Sequence, residues 1–159
     1  MAALKPLTRL RSEDGAVLVE AALTLPLLLL VVMGIIDFGL LFQRYEVVTN
    51  AAREGARVAV LPGYTNQLSP DGDVQLRVRQ YLQAGGLNPA LATPTPIPLA
   101  AVQIAGGPCI TLAGVTVTYP HTYSFVGGIM GFFGGTGFGT TTLTATARMR
   151  AESGALTCP

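Results

Sequence analysis

The spacing of hydrophobic positions along this chain changes twice, from unbroken to helical to alternating, and each regime predicts a different element. From Ala21 to Ile36 the sequence AALTLPLLLLVVMGII carries no charge, with Glu20 and Asp37 at its two ends. The run alone is short for a membrane span, which takes about 20 residues across roughly 30 Å of hydrocarbon. Ala16–Val19 and Phe38–Phe42 are apolar too and bring it to full length, with Glu20 and Asp37 near the two interfaces. Pro26 removes the hydrogen bond to the Ala22 carbonyl and predicts a kink there. Membrane helices tolerate such a break, and Thr24 is placed to satisfy a freed carbonyl.

Beyond the run the apolar positions fall into helical register. Val48, Ala51, Ala52, Gly55, Ala56 and Ala59 form one stripe, with Gln43, Glu46, Asn50, Arg53, Glu54 and Arg57 opposite. Small residues let another backbone approach closely, which marks Ala51, Ala52, Gly55 and Ala56 as a helix-packing surface. Pro62-Gly63 ends the helix. From Ala16 to Val60 it would run roughly 68 Å at about 1.5 Å per residue, half in lipid and half protruding. Glu54 and Arg57 form an i,i+3 pair of modest worth, a few tenths of a kcal/mol; the alternative reading takes Arg53, Glu54 and Arg57 as ordinary surface charges of an amphipathic helix.

A shorter helix should follow, with Ser69 as N-cap, Pro70 at the first helical position, and Val74, Val78, Tyr81 and Leu82 inward. Gly85-Gly86 ends it. Asn88–Pro98, rich in Pro and Ala, reads as an extended connector. Alternation then sets in. Ala101–Ala105 places Val102 and Ile104 on one face. Ile110–Tyr119 turns Val115, Val117 and Tyr119 inward and Thr116 and Thr118 outward. Thr140–Ala151 turns Leu143, Ala145, Ala147 and Met149 inward, with Thr144, Thr146, Arg148 and Arg150 outward. Three antiparallel strands result, and so small a sheet needs both helices on its inner face. The expected fold is α+β: a long N-terminal helix, a short second helix and an antiparallel sheet of about three strands. Between the last two strands, Ser124–Gly139 is uncharged, glycine-rich and aromatic, longer than a hairpin turn requires. So apolar a loop folds onto its own domain or touches a partner or the bilayer surface; the first is slightly favoured. Its glycines lack the GxGxxG order of a phosphate loop.

Composition sharpens this picture. Half the residues, 50%, are hydrophobic and 12% are charged, with mean hydropathy +0.49; soluble domains carry about 25% charged residues. The net charge is +1 and the cations are scattered, which excludes the clustered phosphate contacts of nucleic-acid binding. Lys5, Arg9 and Arg11 precede the apolar run, so the N-terminus faces the cytoplasm and the remainder is exported. An ordinary signal peptide would place small residues for cleavage just after Ile36. The chain has Asp37-Phe38-Gly39-Leu40-Leu41-Phe42 instead, and reads as retaining its anchor.

Candidate chemistry is sparse. Cys109 and Cys158 form no CxxC, and with the one histidine, His121, they fall short of the usual four metal ligands. In an exported domain a Cys109–Cys158 disulfide is the better use. It suits antiparallel pairing, which sets the start of the middle strand beside the end of the last. No serine elbow or carboxylate pair accompanies His121. The chain therefore reads as non-catalytic and without cofactor.

The most specific feature is Gly15-Ala16-Val17-Leu18-Val19-Glu20 at the junction of basic leader and apolar run. Here the chain resembles type IV pilin-like precursors, in which a prepilin peptidase cuts after a glycine and a glutamate stands fifth in the mature chain. The resemblance implies cleavage between Gly15 and Ala16. It also implies a subunit-pairing role for Glu20, whose charge in apolar surroundings needs a partner such as the new α-amino group of Ala16. Three ordered blocks narrow it further: VEAALTLP from Val19, GIIDFG from Gly34 and TNAAREGAR from Thr49. Together, over about Gly15 to Val60, they resemble the TadE-like family, pseudopilins of the tight-adherence (Flp) pilus system. Ala21 departs from the aromatic often found after the glutamate.

That resemblance implies a leader over 1–15, a transmembrane and protruding helix over 16–61, and an exported α+β domain over 62–159. It implies a single-pass protein of the cytoplasmic (inner) membrane with its C-terminal domain periplasmic or extracellular. Its partners would be the membrane, the prepilin peptidase, other pilins or pseudopilins and the pilus assembly platform. The implied function is a minor pilin assembling or anchoring an adhesive pilus; the competing one is a membrane-anchored exported binding module or enzyme unrelated to pili.

Overall fold

The apolar run and the small-residue stripe merge into one helix, α1, spanning Ser12–Ala59 over 48 residues with Pro26 inside it. The computed structural model describes residues 12–61, 72–104, 107, 109–132, 134 and 139–151. Beyond α1 come α2 (Asp73–Ala84), a 3-10 turn (Pro89–Leu91), β1 (Thr93–Gln103), β2 (Cys109–Thr122), α3 (Val126–Phe132) and β3 (Thr140–Arg150). This is the α+β arrangement expected, with the three strands in the antiparallel order β1-β2-β3.

The two halves of α1 meet different surroundings. Leu18, Leu23 and Leu27 are 71%, 73% and 65% exposed, whereas Val48, Ala51, Ala52 and Ala56 are fully buried. The Thr24 hydroxyl donates to the Glu20 carbonyl at 2.9 Å, its own position one turn back. It does not serve the Ala22 carbonyl that Pro26 releases.

The buried half of α1 lies across the inner face of the sheet, flanked by α2. At Gly55 the approach is so close that an added Cβ would sit 2.5 Å from Val78 Cγ2 and 2.9 Å from Val115 Cγ1. Helix α2 contributes Val74, Gln75, Val78 and Leu82 to the interior. Tyr81 is 37% exposed, a correction to its inward placement: it sits at the flank of the buried arc, and Gln75 closes the other flank. The helix starts at Asp73 after Gly72, later than the Ser69-Pro70 signal, which itself lies outside the described residues. Its end falls at Gly85-Gly86, where Gly86 takes a φ of +76° that favours glycine.

The proline-rich connector is mostly a strand. Pro94 pairs with Val117 and Pro96 with Val115. Proline lacks a ladder donor, so it survives only where its nitrogen faces away from the sheet, and β1 is an edge strand. The register shifts between Ile97 and Ala100. Such a slip exchanges the two faces of a strand. Before it Pro94 and Pro96 oppose the inward Val117 and Val115; after it Ala101 opposes the buried Thr111 and Val102 the outward Ile110. Val102 and Ile104 are accordingly 39% and 46% exposed, and the face they share is the solvent face. On β2 and β3 the alternation holds: Val115, Val117, Tyr119, Leu143 and Ala145 are buried, while Thr144, Thr146, Arg148 and Arg150 face outward.

Candidate functional site

Gly15, Ala16 and Glu20 lie exposed on the first turns of α1, in line with the exposed Val17, Leu18 and Val19. A carboxylate there has water or another molecule as its surroundings. Ala51, Ala52, Gly55 and Ala56 lie elsewhere, in the core against α2 and the sheet. Gly15–Glu20 and the small-residue stripe thus occupy opposite ends of one helix.

Between them stands a cluster the sequence did not announce. Asp37 closes the apolar run, yet it is 1% exposed. Its Oδ1 accepts the backbone N–H of Ser124 at 3.1 Å. Its Oδ2 accepts those of Phe125 at 2.9 Å and Val126 at 2.7 Å. A carboxylate so placed caps the start of α3, satisfying donors that a helix leaves open. One turn and two turns further along the same face come Leu41 and Arg44, then the buried Val48. The available signal was this periodicity: Asp37 continues the core stripe backward, although an acid beside a span reads first as a boundary.

Arg44 Nη1 lies 3.1 Å from His121 Nδ1. Guanidinium only donates, so Nδ1 accepts and the neutral imidazole carries its proton on Nε2. That atom is buried without a hydrogen-bond partner among the described residues. Tyr123 meets the imidazole edge to face at 5.0 Å and Phe38 at 6.4 Å. Burial pushes the His121 pKa below its ordinary value; the Arg44 charge adds to this and the Asp37 charge opposes it. Protonation is therefore disfavoured in the fold. The stability tied to neutral His121 is fully present above the unfolded value of about 6.5 and is lost as pH falls below it. Thermal melts in detergent between neutral pH and pH about 5 should show a falling midpoint that His121→Gln flattens. Equal slopes in both proteins would refute it.

Further along α1, Glu54 joins two helices. Its Oε1 accepts from Arg57 Nη2 at 3.1 Å and from Arg77 Nε and Nη2 at 3.0 and 2.7 Å. Hydrogen bonds from Arg57 and then Arg77 hold its carboxyl below the usual range. The i,i+3 pair is present, and the bridge to α2 is what the sequence pattern left out. Exposed pairs of this kind contribute up to about 1 kcal/mol.

Cys109, at the head of β2, is disulfide-bonded; Cys158 lies outside the described residues. Among the described residues no group of three or more His, Cys, Asp or Glu is placed to hold a metal ion.

These features define a class: an α+β domain carried on a single helix long and apolar enough to cross a membrane. Residues 15–57, nearly all of that helix, match the family model described as TadE-like protein. The chain thus carries a TadE-like region, consistent with a TadE-like protein of the Tad/Flp pilus system, and its apolar helix fits a pilus-associated membrane protein. No curated protein and no solved structure matches the chain.

Proposed function

We propose that this protein is a non-catalytic pseudopilin, a minor pilin that takes part in assembling or anchoring a tight-adherence pilus and so in surface attachment. The observation that carries the reading is the TadE-like match over residues 15–57, which falls on a helix whose exposed residues between Gly15 and Ile36 are apolar apart from Glu20 and Thr24. In this reading prepilin peptidase removes residues 1–15. Ala16 then begins the mature chain, and its amino group pairs with Glu20 on the same or a neighbouring subunit. The helix crosses the inner membrane with its N-terminus cytoplasmic, as Lys5, Arg9 and Arg11 favour, and hands the exported domain to other pilins and the assembly platform.

Intact mass measurement of protein purified from its native membrane tests this. The expected species begins at Ala16; material beginning at Met1 or Ala2 in cells with a working peptidase would overturn it. Glu20→Ala should leave cleavage intact and weaken recovery with other pilins, because the charge partner within the apolar layer is gone.

A further inference from the structure

From Thr122 to Ala147 the chain has no charged residue, and the described start of this stretch is held at one height along α1. The three N–H groups of Ser124, Phe125 and Val126 converge on Asp37. Counting from Ala16, the residues through Ile36 rise about 31 Å at about 1.5 Å each, the thickness of the hydrocarbon layer. Asp37 therefore stands at the outer boundary of the span, and Phe125 beside it. Phe125, Phe38 and Phe42 are 40%, 52% and 68% exposed. Phe38 and Phe42 lie one turn apart on one flank of α1, and Tyr123 packs on Phe38. Phe42 is about 8 Å above Asp37 along the axis, still within the headgroup region, which adds roughly 5–8 Å on each side.

We infer that Phe38, Phe42, Tyr123 and Phe125 form an aromatic foot that rests in the headgroup layer of the bilayer α1 crosses, seated there by the Asp37 carboxylate. The patch is continuous with the apolar surface of the span: Tyr123 is of the type that settles at membrane–water boundaries, and Phe38, Phe42 and Phe125 offer the apolar surface that buries at the headgroup–acyl boundary. Lack of charge keeps this stretch from being repelled or drawn by particular headgroups, so apolar burial is the driving force. Asp37 can stay ionised at this depth because it is withdrawn from lipid and satisfied by three backbone donors. The inference rests on the membrane-spanning reading of α1.

The chain contains no tryptophan, so single Trp substitutions report depth cleanly. The full chain carrying Leu29→Trp, Phe125→Trp or Leu61→Trp would be reconstituted in phosphatidylcholine vesicles brominated at shallow or deep acyl positions. Trp at 29 should be quenched most by deep bromines and Trp at 125 by shallow ones. Trp at 61, about 36 Å above Asp37, should be unquenched. Quenching at 29 with position 125 behaving like 61 would overturn the foot while the span stands, and would return the patch to a protein partner. Absence of quenching at 29 would overturn the span and the foot together. Asp37→Ala added to Phe125→Trp should abolish shallow quenching while far-UV circular dichroism shows the domain folded; retained quenching would overturn the seating role of Asp37.

Discussion

Gly55→Leu is expected to lower the stability of the domain by about 3 kcal/mol, at the upper end of the usual cost of overpacking. The first added carbon alone would lie 2.5 Å from a Val78 methyl and 2.9 Å from a Val115 methyl. Both neighbours are β-branched and stiff at χ1. They belong to α2 and β2, so relief requires α1 to back out of both contacts. The loss exceeds the gain of about 1 kcal/mol that removing a helical glycine brings. In a detergent melt the midpoint should fall by roughly 10 °C, and Gly55→Ala should fall less. Arg53→Ala, exposed on the same helix, should stay within about 0.5 kcal/mol. Identical melts for Gly55→Leu and Arg53→Ala would show that the contact contributes nothing.

The second large effect concerns Cys109. The chain has two cysteines, and the bond at Cys109 is proposed to run to Cys158. Closing a loop of about 50 residues restricts the unfolded chain by around 4 kcal/mol in the chain-entropy model. The domain draws its core from one helix face, one short helix and three strands, so such a contribution is a large share of a typical total of about 5–15 kcal/mol. Reductant should lower the melting midpoint of exported protein by around 10 °C and leave membrane insertion unchanged. Alkylation of non-reduced protein followed by mass measurement decides the pairing: two labelled cysteines would refute it.

What was legible in advance was what repeats locally. Val115, Val117 and Tyr119 announce a strand because alternation is a property of neighbours in sequence, and the stripe through Ala52 and Gly55 announces a packed helix face for the same reason. Strand β1 was hidden because three prolines read as a break; only its place at the sheet edge makes them tolerable. Val102 and Ile104 announced a shared face, but which side of the sheet that face takes is set by one register shift, which no local pattern marks. The Asp37 cluster was illegible for a deeper reason. Its hydrogen bonds join positions 87 to 89 residues apart, and Arg44 meets His121 across 77. Those contacts exist only once the sheet has formed on α1, and the sequence around Asp37 offered a complete account of it as the end of an apolar run.

The same 48-residue helix supplies both the apolar first half and the spine of the folded domain. No linker separates the two, since Asp37 and Arg44 already touch the domain within the first turns beyond the apolar run. Helix and sheet therefore move as a lever. Membrane helices commonly tilt by about 20°, and here such a tilt would swing the whole sheet through the same angle. A pull on the sheet would likewise be delivered to the apolar half as an axial load along the helix, with no slack segment before the one hydrogen bond that Pro26 removes.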